Sequence, residues 1–383
     1  MKRIYLDHAA TTPLAPEAAE AMRPWLDGEF GNPSSLHLEG RRAKDAIDEA
    51  RETLAEALGC EFGEVVFTSS GTEAANLAIL GTALKNEDPR RNRILLGAAE
   101  HHCVLHTKPL LERLGFHVEL MPVDREAQVH PEALGSLLGD DVLLVSVMHA
   151  NNEIGTINPE AELAALTHEV GALFHTDAVQ TFLVDSLPRL SNLAADLVSV
   201  SAHKVNGPKG VGALYQRAGV KLQPISLGGG QEREVRAGTE NVAGIVGFGA
   251  AGRARSQGTP AVSDSQRQAR DLFLQKLEDA GFVRTAKHFD SVLPGHAHVR
   301  LLRVDAETML IRLDRMGVAA SSGAACSSGS LEPSHVLLAC GYTKEEAKEG
   351  LRFSFPSDAD LDEANEAADR VIEAGNAIRS SRA

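Results

Sequence analysis

Cysteine is scarce in this chain of 383 residues, which contains only Cys60, Cys103, Cys326 and Cys340. Four cysteines in so long a chain do not form a disulfide framework, and no two of them are spaced as in a CxxC metal or redox motif. This usage is typical of a protein that works in a reducing compartment. We therefore predict a cytoplasmic location.

Long apolar runs and basic side chains are also in short supply. No stretch approaches the roughly 18 uninterrupted apolar residues that cross a bilayer, and the opening MKRIYLDHAATT lacks the apolar core of a secretory signal. Lys and Arg number 38 against 53 Asp and Glu, which gives a formal net charge of -15. Because such a chain repels phosphate backbones and anionic lipid surfaces, we expect neither nucleic acid nor a membrane as a partner.

What the chain does have is a regular alternation of strand and helix patterns through its first two thirds. Short, β-branched runs such as Val65–Thr68, Val142–Val147 and Leu197–Val200 are separated by stretches with helical spacing such as Val104–Leu114. Nearer the end of the chain a further strand is expected at Val299–Val304. This alternation predicts an α/β fold with a mostly parallel central sheet and helices on both faces. In such sheets ligands bind at the carboxyl ends of the strands.

The length of the chain predicts a large domain with a smaller one beside it. The stretch SQGTPAVSDS at residues 256–265 is small, polar and interrupted by proline, which favours a linker. We expect residues 15–255 to form the large domain, and residues 1–14 with 256–383 to form a smaller α+β domain that carries Cys326.

The strand at Leu197–Val200 leads into Ser201, His203 and Lys204, and a glycine-rich turn follows. A lysine held beside an apolar strand can lose its proton and act as an amine nucleophile. The alternative is a surface lysine at the start of a loop.

Two other strand ends carry groups that could bind a cofactor. Ser69–Thr72 joins a strand to a helix, so that backbone N–H groups and a hydroxyl suit a phosphate there; the alternative is a plain capping turn with Ser70 or Thr72 as the N-cap. Asp177 follows the strand that ends at His175. It is either a solvated turn residue or a partner for a positively charged ring nitrogen.

Histidines follow two further strands, at His101 and His149. A single histidine is more often structural, but two at one sheet edge favour a functional site. A metal centre built from His101, His102, Cys103 and either His149 or Cys326 is the competing interpretation. We predict no metal, because adjacent residues rarely bind one ion and no helical HxxxH or paired CxxC is present.

The last third contributes a thiol and a guanidinium. Ser321–Ser330 consists of ten small residues, SSGAACSSGS, which we expect to lie exposed and mobile, with Cys326 as an accessible thiol. In GLRFSF, Arg352 alternates with apolar neighbours. It is either a solvated arginine or a clamp for a substrate carboxylate. A phosphate site, an amine nucleophile, an acid and a carboxylate clamp together indicate pyridoxal phosphate (PLP) acting on an amino acid.

The sequence resembles the cysteine desulfurases of the NifS-like group, which are class V aminotransferase relatives among the fold-type I PLP enzymes. The resemblance runs from Tyr5 to about Phe355. It rests on eight further segments after YLDHAATTP, in one order: GNPSS, FTSSGTEAAN, EHHCVL, MHANNEIG, FHTDAVQ, SAHKVNGPKGVGALY, RAGTENV and SSGAACSSGSLEPS.

The resemblance implies a role for each candidate residue. It makes Lys204 the Schiff-base lysine and Cys326 the cysteine that carries a persulfide. The cofactor phosphate would be bound by Gly71, Thr72, Ser201 and His203, the pyridine nitrogen by Asp177 and the ring hydroxyl by Gln180. His101 would stack on the ring and carry protons for the thiols, and Asn152 would lie near the ring and the substrate carboxylate. Arg352 would bind that carboxylate, and Thr239 would reach the phosphate of the neighbouring subunit.

The activity implied is removal of sulfur from L-cysteine, with L-alanine as product, by a homodimer that passes the sulfur to an acceptor such as an iron–sulfur scaffold. The chain reads SFPSDAD after Arg352 where many relatives have SLGRFTT, and it ends soon after its last helix. Both departures leave the acceptor open. The alternatives are a selenocysteine lyase, another class V PLP aminotransferase, or a non-catalytic scaffold.

Overall fold

The computed structural model describes residues 2–184, 194–256, 261–287, 291–323 and 332–380. Its strands, numbered in chain order, are β1 (Ile4–Tyr5), β2 (Val65–Thr68), β3 (Arg93–Gly97), β4 (His117–Met121), β5 (Val142–Ser146), β6 (Leu173–Asp177), β7 (Leu197–Ser201), β8 (Gly212–Gln216), β9 (Val283–Arg284), β10 (His296–Arg300), β11 (Val318–Ala319) and β12 (Gly350–Ser354). Its α-helices are α1 (Pro16–Asp27), α2 (Leu38–Leu58), α3 (Gly71–Lys85), α4 (His102–Leu105), α5 (Lys108–Arg113), α6 (Pro131–Leu137), α7 (Glu160–Glu169), α8 (Val242–Ser256), α9 (Ala261–Asp279), α10 (Ala306–Arg315), α11 (His335–Ala339), α12 (Lys344–Ala347) and α13 (Leu361–Ser380).

The central sheet has seven strands in the order β2-β8-β7-β6-β5-β3-β4. Strands β7, β6, β5, β3 and β4 pair in parallel, and β8 runs antiparallel to both of its neighbours. All positions of β2, β5 and β7 are buried, as expected when helices cover both faces of a parallel sheet. The carboxyl ends of β3, β5, β6 and β7 therefore meet at one edge.

A second, smaller core lies against the end of the chain. Strands β12, β10 and β9 form an antiparallel sheet in that order, and β1 pairs in parallel with β11. The buried side chains of this core include Ile4, Leu6, Phe273, Phe353 and Phe355. The amino-terminal strand thus packs with elements more than 250 positions away in the sequence.

Most elements lie where the sequence predicted them, but three predictions need correction and some elements were missed. The helix expected at Val104–Leu114 is divided into α4 and α5, because Pro109 has no amide N–H with which to continue α4 and lies in the first turn of a new helix. The strand expected at Val299–Val304 is β10, five residues that begin at His296. Strands β1, β8, β9 and β11 and helices α11 and α12 were not predicted, and part of the expected linker at 256–265 belongs to α9.

The predicted domain limits stay a prediction. The structure shows one large cluster of buried apolar side chains around the central sheet and another around the smaller sheets. Residues 257–260, inside the expected linker, lie outside the described part of the chain. Among the residues that are described, no helix is both long and apolar enough to cross a membrane.

Candidate active site

The carboxyl ends of β6 and β7 bring Asp177 and Ser201 to the same edge of the sheet. The two strands pair in parallel, with Asp177 opposite Ser199, and the Ala178 amide donates a hydrogen bond to the Ser199 carbonyl at 3.0 Å. A short 3-10 turn at Ala202–Lys204 follows β7 directly. Lys204 therefore stands one turn beyond the sheet, on the side where Asp177 ends its strand.

Lys204 is held by a segment that the sequence analysis did not assign to the site. Its Nζ donates to the backbone carbonyls of Ala9 and Ala10, the latter at 3.0 Å. The side-chain amide of Gln180 donates to the Ala9 carbonyl at 3.0 Å. We call residues 7–12 the amino-terminal strap, because they cross the site and contact residues from two strand ends.

Asp177 is a buried carboxyl group with one strong hydrogen bond. The Val179 amide donates to Oδ1 at 2.9 Å, and the Sγ of Cys103 lies 4.0 Å from Oδ2. Burial raises the pKa of Asp177 to about 6, against the lowering effects of the Val179 amide and of the charge on Lys204. The solvated alternative for Asp177 is wrong. Cys103, next to this carboxyl group, was considered only as a metal ligand.

The turn before α3 is a helix cap that lies close to the end of β7. Ser70 caps the helix by accepting a hydrogen bond from the Glu73 amide at 3.1 Å, whereas the side chain of Thr72 is exposed. A Cβ atom at Gly71 would lie only 2.7 Å from Cγ2 of Val179 and 3.4 Å from Cβ of Ser201. Glycine is therefore required there, and the helix start can approach Ser201 closely.

His101 and His203 both lie near Lys204 and are neutral at pH 7. Burial and the charge on Lys204 lower the pKa of His101 and of His203 to about 4 each. The Nδ1 of His101 accepts a hydrogen bond from the Cys103 amide at 3.2 Å, which leaves the ring hydrogen on Nε2. His203 contacts the strap through Thr11 Oγ1 at 3.2 Å.

His149 does not join this group as a ligand. It is buried and its Nδ1 pairs with Thr181 Oγ1 at 3.0 Å, and burial lowers its pKa to about 4. Among the residues that the structure describes, no cluster of His, Cys, Asp or Glu could hold a metal ion.

Asn152 and Arg352, predicted from distant parts of the sequence, are in contact. Arg352 is 2% exposed, so the solvated alternative is wrong. Its Nη1 donates to the Asn152 carbonyl at 2.7 Å, and its Nη2 donates to Asp7 Oδ1 at 2.9 Å. Asp7, which lies on the strap, was not predicted as a site residue. The only signal for it was its place in the YLDHAATTP segment.

Two predicted residues stand apart from this geometry. Cys326 lies outside the described residues, as does most of Ser321–Ser330. The expected exposure of that stretch is wrong at Ser321, which is 5% exposed because its backbone pairs with that of Arg352. Thr239 is exposed on a loop that is tied to the helix start by an ion pair between Arg236 and Glu73 at 2.9 Å.

The side chains at this edge fit PLP. Ser201 Oγ and Asn152 Oδ1 are buried without a hydrogen-bond partner among the described residues. A free hydroxyl beside a helix start suits a phosphate, and a buried carboxyl group suits a protonated ring nitrogen. Lys204 supplies the amine, so the phosphate, the ring nitrogen and the aldehyde of the cofactor each have a matching group.

The chain is similar to known proteins over nearly its whole length. The family model for aminotransferase class-V matches residues 4–366. The chain is 45% identical to the cysteine desulfurase IscS of Dictyoglomus turgidum, over 97% of this chain and 95% of the relative. It is 43% identical to the putative cysteine desulfurase IscS 1 of Bacillus subtilis, over 97% and 98%.

A solved structure titled NifS-like protein matches with a TM-score of 0.90 and 33% identity, over 97% of this chain and 98% of that one. The predicted fold class is thereby confirmed. The chain belongs to the aminotransferase class-V family.

Proposed function

We propose that this protein is a PLP-dependent cysteine desulfurase, which removes sulfur from L-cysteine and releases L-alanine. The observation that carries the proposal is the meeting of Lys204, Asp177 and the Asn152–Arg352 pair at one edge of the sheet. Relatives named cysteine desulfurase match over 97% of the chain. The site geometry alone is compatible with several PLP reactions, and these names favour desulfuration.

The residues divide the chemistry among them. Bound PLP supplies an electron sink for the charge that develops on the substrate Cα. Asp177 keeps the ring nitrogen positively charged, and Ser201 with the start of α3 binds the phosphate. Arg352 and Asn152 orient the substrate by its carboxylate. Lys204 Nζ takes the Cα proton and returns a proton later.

His101 acts on the sulfur as a neutral ring. With Nδ1 accepting from the Cys103 amide, Nε2 carries the hydrogen and can donate a hydrogen bond to a thiolate. Stabilising the thiolate form of Cys326 favours the nucleophile over the unreactive thiol.

Cys326 is the sulfur carrier in this proposal. Its thiolate bonds to the substrate sulfur while the bond from that sulfur to Cβ breaks, and the electron pair stays with the carbon, which is protonated on the way to L-alanine. Cys326 retains the sulfur as a persulfide. An acceptor, such as an iron–sulfur scaffold protein, then receives it.

The working form proposed is a cytoplasmic homodimer. Large apolar side chains of the large domain are highly exposed in the single chain: Leu26 at 71%, Phe30 at 85%, Leu36 at 89% and Leu227 at 81%. Exposed apolar groups of this size favour burial against a second copy. The exposed Thr239 would then reach the phosphate in the neighbouring subunit.

The deciding experiment replaces the proposed carrier. Cys326→Ala should bind PLP normally, because the change leaves the cofactor groups intact, but should lose nearly all release of L-alanine from L-cysteine. Cys60→Ala, which alters a half-buried cysteine that packs against the large apolar core, should behave as wild type. Undiminished alanine release by Cys326→Ala would rule out this mechanism and favour another class V reaction. A purified protein that never acquires the absorption band of bound PLP would favour a scaffold.

A further inference from the structure

Asp7 is the acidic partner of the guanidinium to which the proposed function gives the substrate carboxylate. Its Oδ1 lies 2.9 Å from Arg352 Nη2, although the two residues are 345 positions apart. The Asp7 side chain is 20% exposed and that of Arg352 is 3% exposed. The ion pair is therefore largely shielded from water, and its geometry matters more than that of a surface pair.

The position of Asp7 is fixed by backbone hydrogen bonds on both sides. The Leu6 amide donates to the Ala319 carbonyl at 2.9 Å, and the Ser354 amide donates to the Leu6 carbonyl at 2.8 Å. Two residues after Asp7, the Ala9 amide donates to Ser354 Oγ at 2.8 Å. The carboxylate is thus carried on backbone that is attached to the strand of Arg352 itself.

The two contacts of Arg352 determine its orientation. A guanidinium has five N–H groups in one plane, and the Asn152 carbonyl and Asp7 each accept from one of them. Nε is buried without a partner among the described residues. The two contacts fix the plane of the guanidinium, and its remaining N–H groups lie in that plane. These donors are therefore already oriented when a carboxylate binds.

The pair also explains how Arg352 can be buried before substrate arrives. A buried charge without a partner costs several kcal/mol, whereas a hydrogen-bonded ion pair recovers much of that cost. Asp7 supplies this partner. Asn152 Oδ1, buried and without a partner among the described residues, adds a second polar group beside the pair.

We propose that Asp7 is a positioning residue for amino acid binding, which holds the Arg352 guanidinium in the orientation that accepts the substrate carboxylate. The inference rests on the proposed function of Arg352. It concerns selectivity for a carboxylate rather than the chemistry at sulfur. Asp7 acts through Arg352 and does not touch the reacting atoms.

The test compares two amines that differ only in the carboxylate, L-alanine and ethylamine. Each is titrated into PLP-loaded protein, and the spectral change of the bound cofactor gives Kd. For Asp7→Ala we expect Kd for L-alanine to rise about tenfold or more, since an oriented charge-assisted contact is lost, while Kd for ethylamine stays within about twofold. Asp7→Asn retains the acceptor oxygen and should remain within about threefold of wild type for both amines.

Three outcomes would overturn the proposal: no change with Asp7→Ala, an equal loss for both amines, or failure of Asp7→Asn to restore L-alanine binding. Asp358→Ala is the matched control, because this exposed acid lies near the strap at His8 and should leave both Kd values unchanged.

Arg352→Lys separates the two hypotheses. If it leaves the preference for L-alanine intact, the proposed role of Arg352 fails. If it removes the preference while Asp7→Ala does not, the inference about Asp7 alone fails.

Discussion

Asp177 is a buried residue whose proposed function costs folding stability. Its carboxyl group ends β6 at 6% exposure, and burial raises its pKa from 3.8 to about 6. In the cofactor-free protein the folded state therefore holds this proton more tightly than the unfolded state does. The contribution of Asp177 to folding accordingly becomes less favourable as pH rises from about 4 to about 6, and the full penalty remains above that range.

We expect Asp177→Asn to make the cofactor-free protein more stable at pH 8, by about 2 to 3 kcal/mol, because the neutral amide avoids this penalty and can still accept from the Val179 amide. The advantage should shrink between pH 6 and pH 5. Urea denaturation at pH 8, 6 and 5 measures both effects. The same variant should lose desulfurase activity by about a hundredfold or more, since a neutral amide cannot keep the ring nitrogen charged. Lower stability than wild type at pH 8 would contradict this account.

At the scale of an element, the turn that precedes the Thr239 loop is strained and anchored by a buried ion pair. Three consecutive non-glycine residues have positive φ: Glu232 at 44°, Arg233 at 56° and Glu234 at 66°. Such conformations persist only where the surroundings enforce them. Here the Glu232 carboxylate accepts two hydrogen bonds from Arg51, at 2.7 Å each, and one from the Phe67 amide at 2.8 Å. The turn is thus attached to β2, which leads into the start of α3.

Glu232→Gln should destabilise the protein by about 3 to 5 kcal/mol, because it leaves Arg51 buried without a counter-charge. Replacing both partners, as Arg51→Met with Glu232→Leu, should cost less than the single change. Denaturant midpoints of the wild type, the single variant and the double variant measure this order of stability. Glu49→Gln, which breaks an exposed pair with Arg253, is the control and should change little. A single variant as stable as wild type would show that the ion pair does not anchor the turn.

At the scale of the whole molecule, the loop between α1 and α2 presents an apolar surface that a single chain leaves uncovered. Gly31 packs so tightly on the start of α2 that a Cβ atom there would lie 1.9 Å from the Glu39 carbonyl oxygen. The loop is therefore fixed, while Phe30 and Leu36 on either side of Gly31 are 85% and 89% exposed. A rigid, exposed apolar surface is suited to a subunit interface.

The double change Phe30→Glu with Leu36→Glu should shift the protein from dimer to monomer, since burying two unpaired carboxylates opposes association. Sedimentation velocity measures the oligomeric state. PLP affinity should fall with dissociation if Thr239 completes the neighbouring site. Ile311→Glu, at a 52% exposed position in the smaller core region, is the control and should remain dimeric. An unchanged sedimentation coefficient in the double variant would place the interface elsewhere.

The sequence by itself determined the elements and the groups that end them. The buried β-branched runs specify strands, and a parallel sheet brings their carboxyl ends to one edge. Local pattern and order therefore placed Lys204, Asp177 and Ser201 at that edge, and the family resemblance supplied the roles expected of them. Periodicity is a local property, and this is why these predictions needed no knowledge of distant contacts.

Only the tertiary structure decided which distant segments of the chain contact each other. The insertion of β8, the start of β10 at His296, the strap over Lys204 and the contact of Asp7 with Arg352 all depend on pairings between residues far apart in the chain. Register between such segments is set by packing and hydrogen bonding in the folded state, which no local pattern records. The strap is the clearest case, since only folding brings Asp7 and the Ala9 carbonyl to the site that the strand ends create.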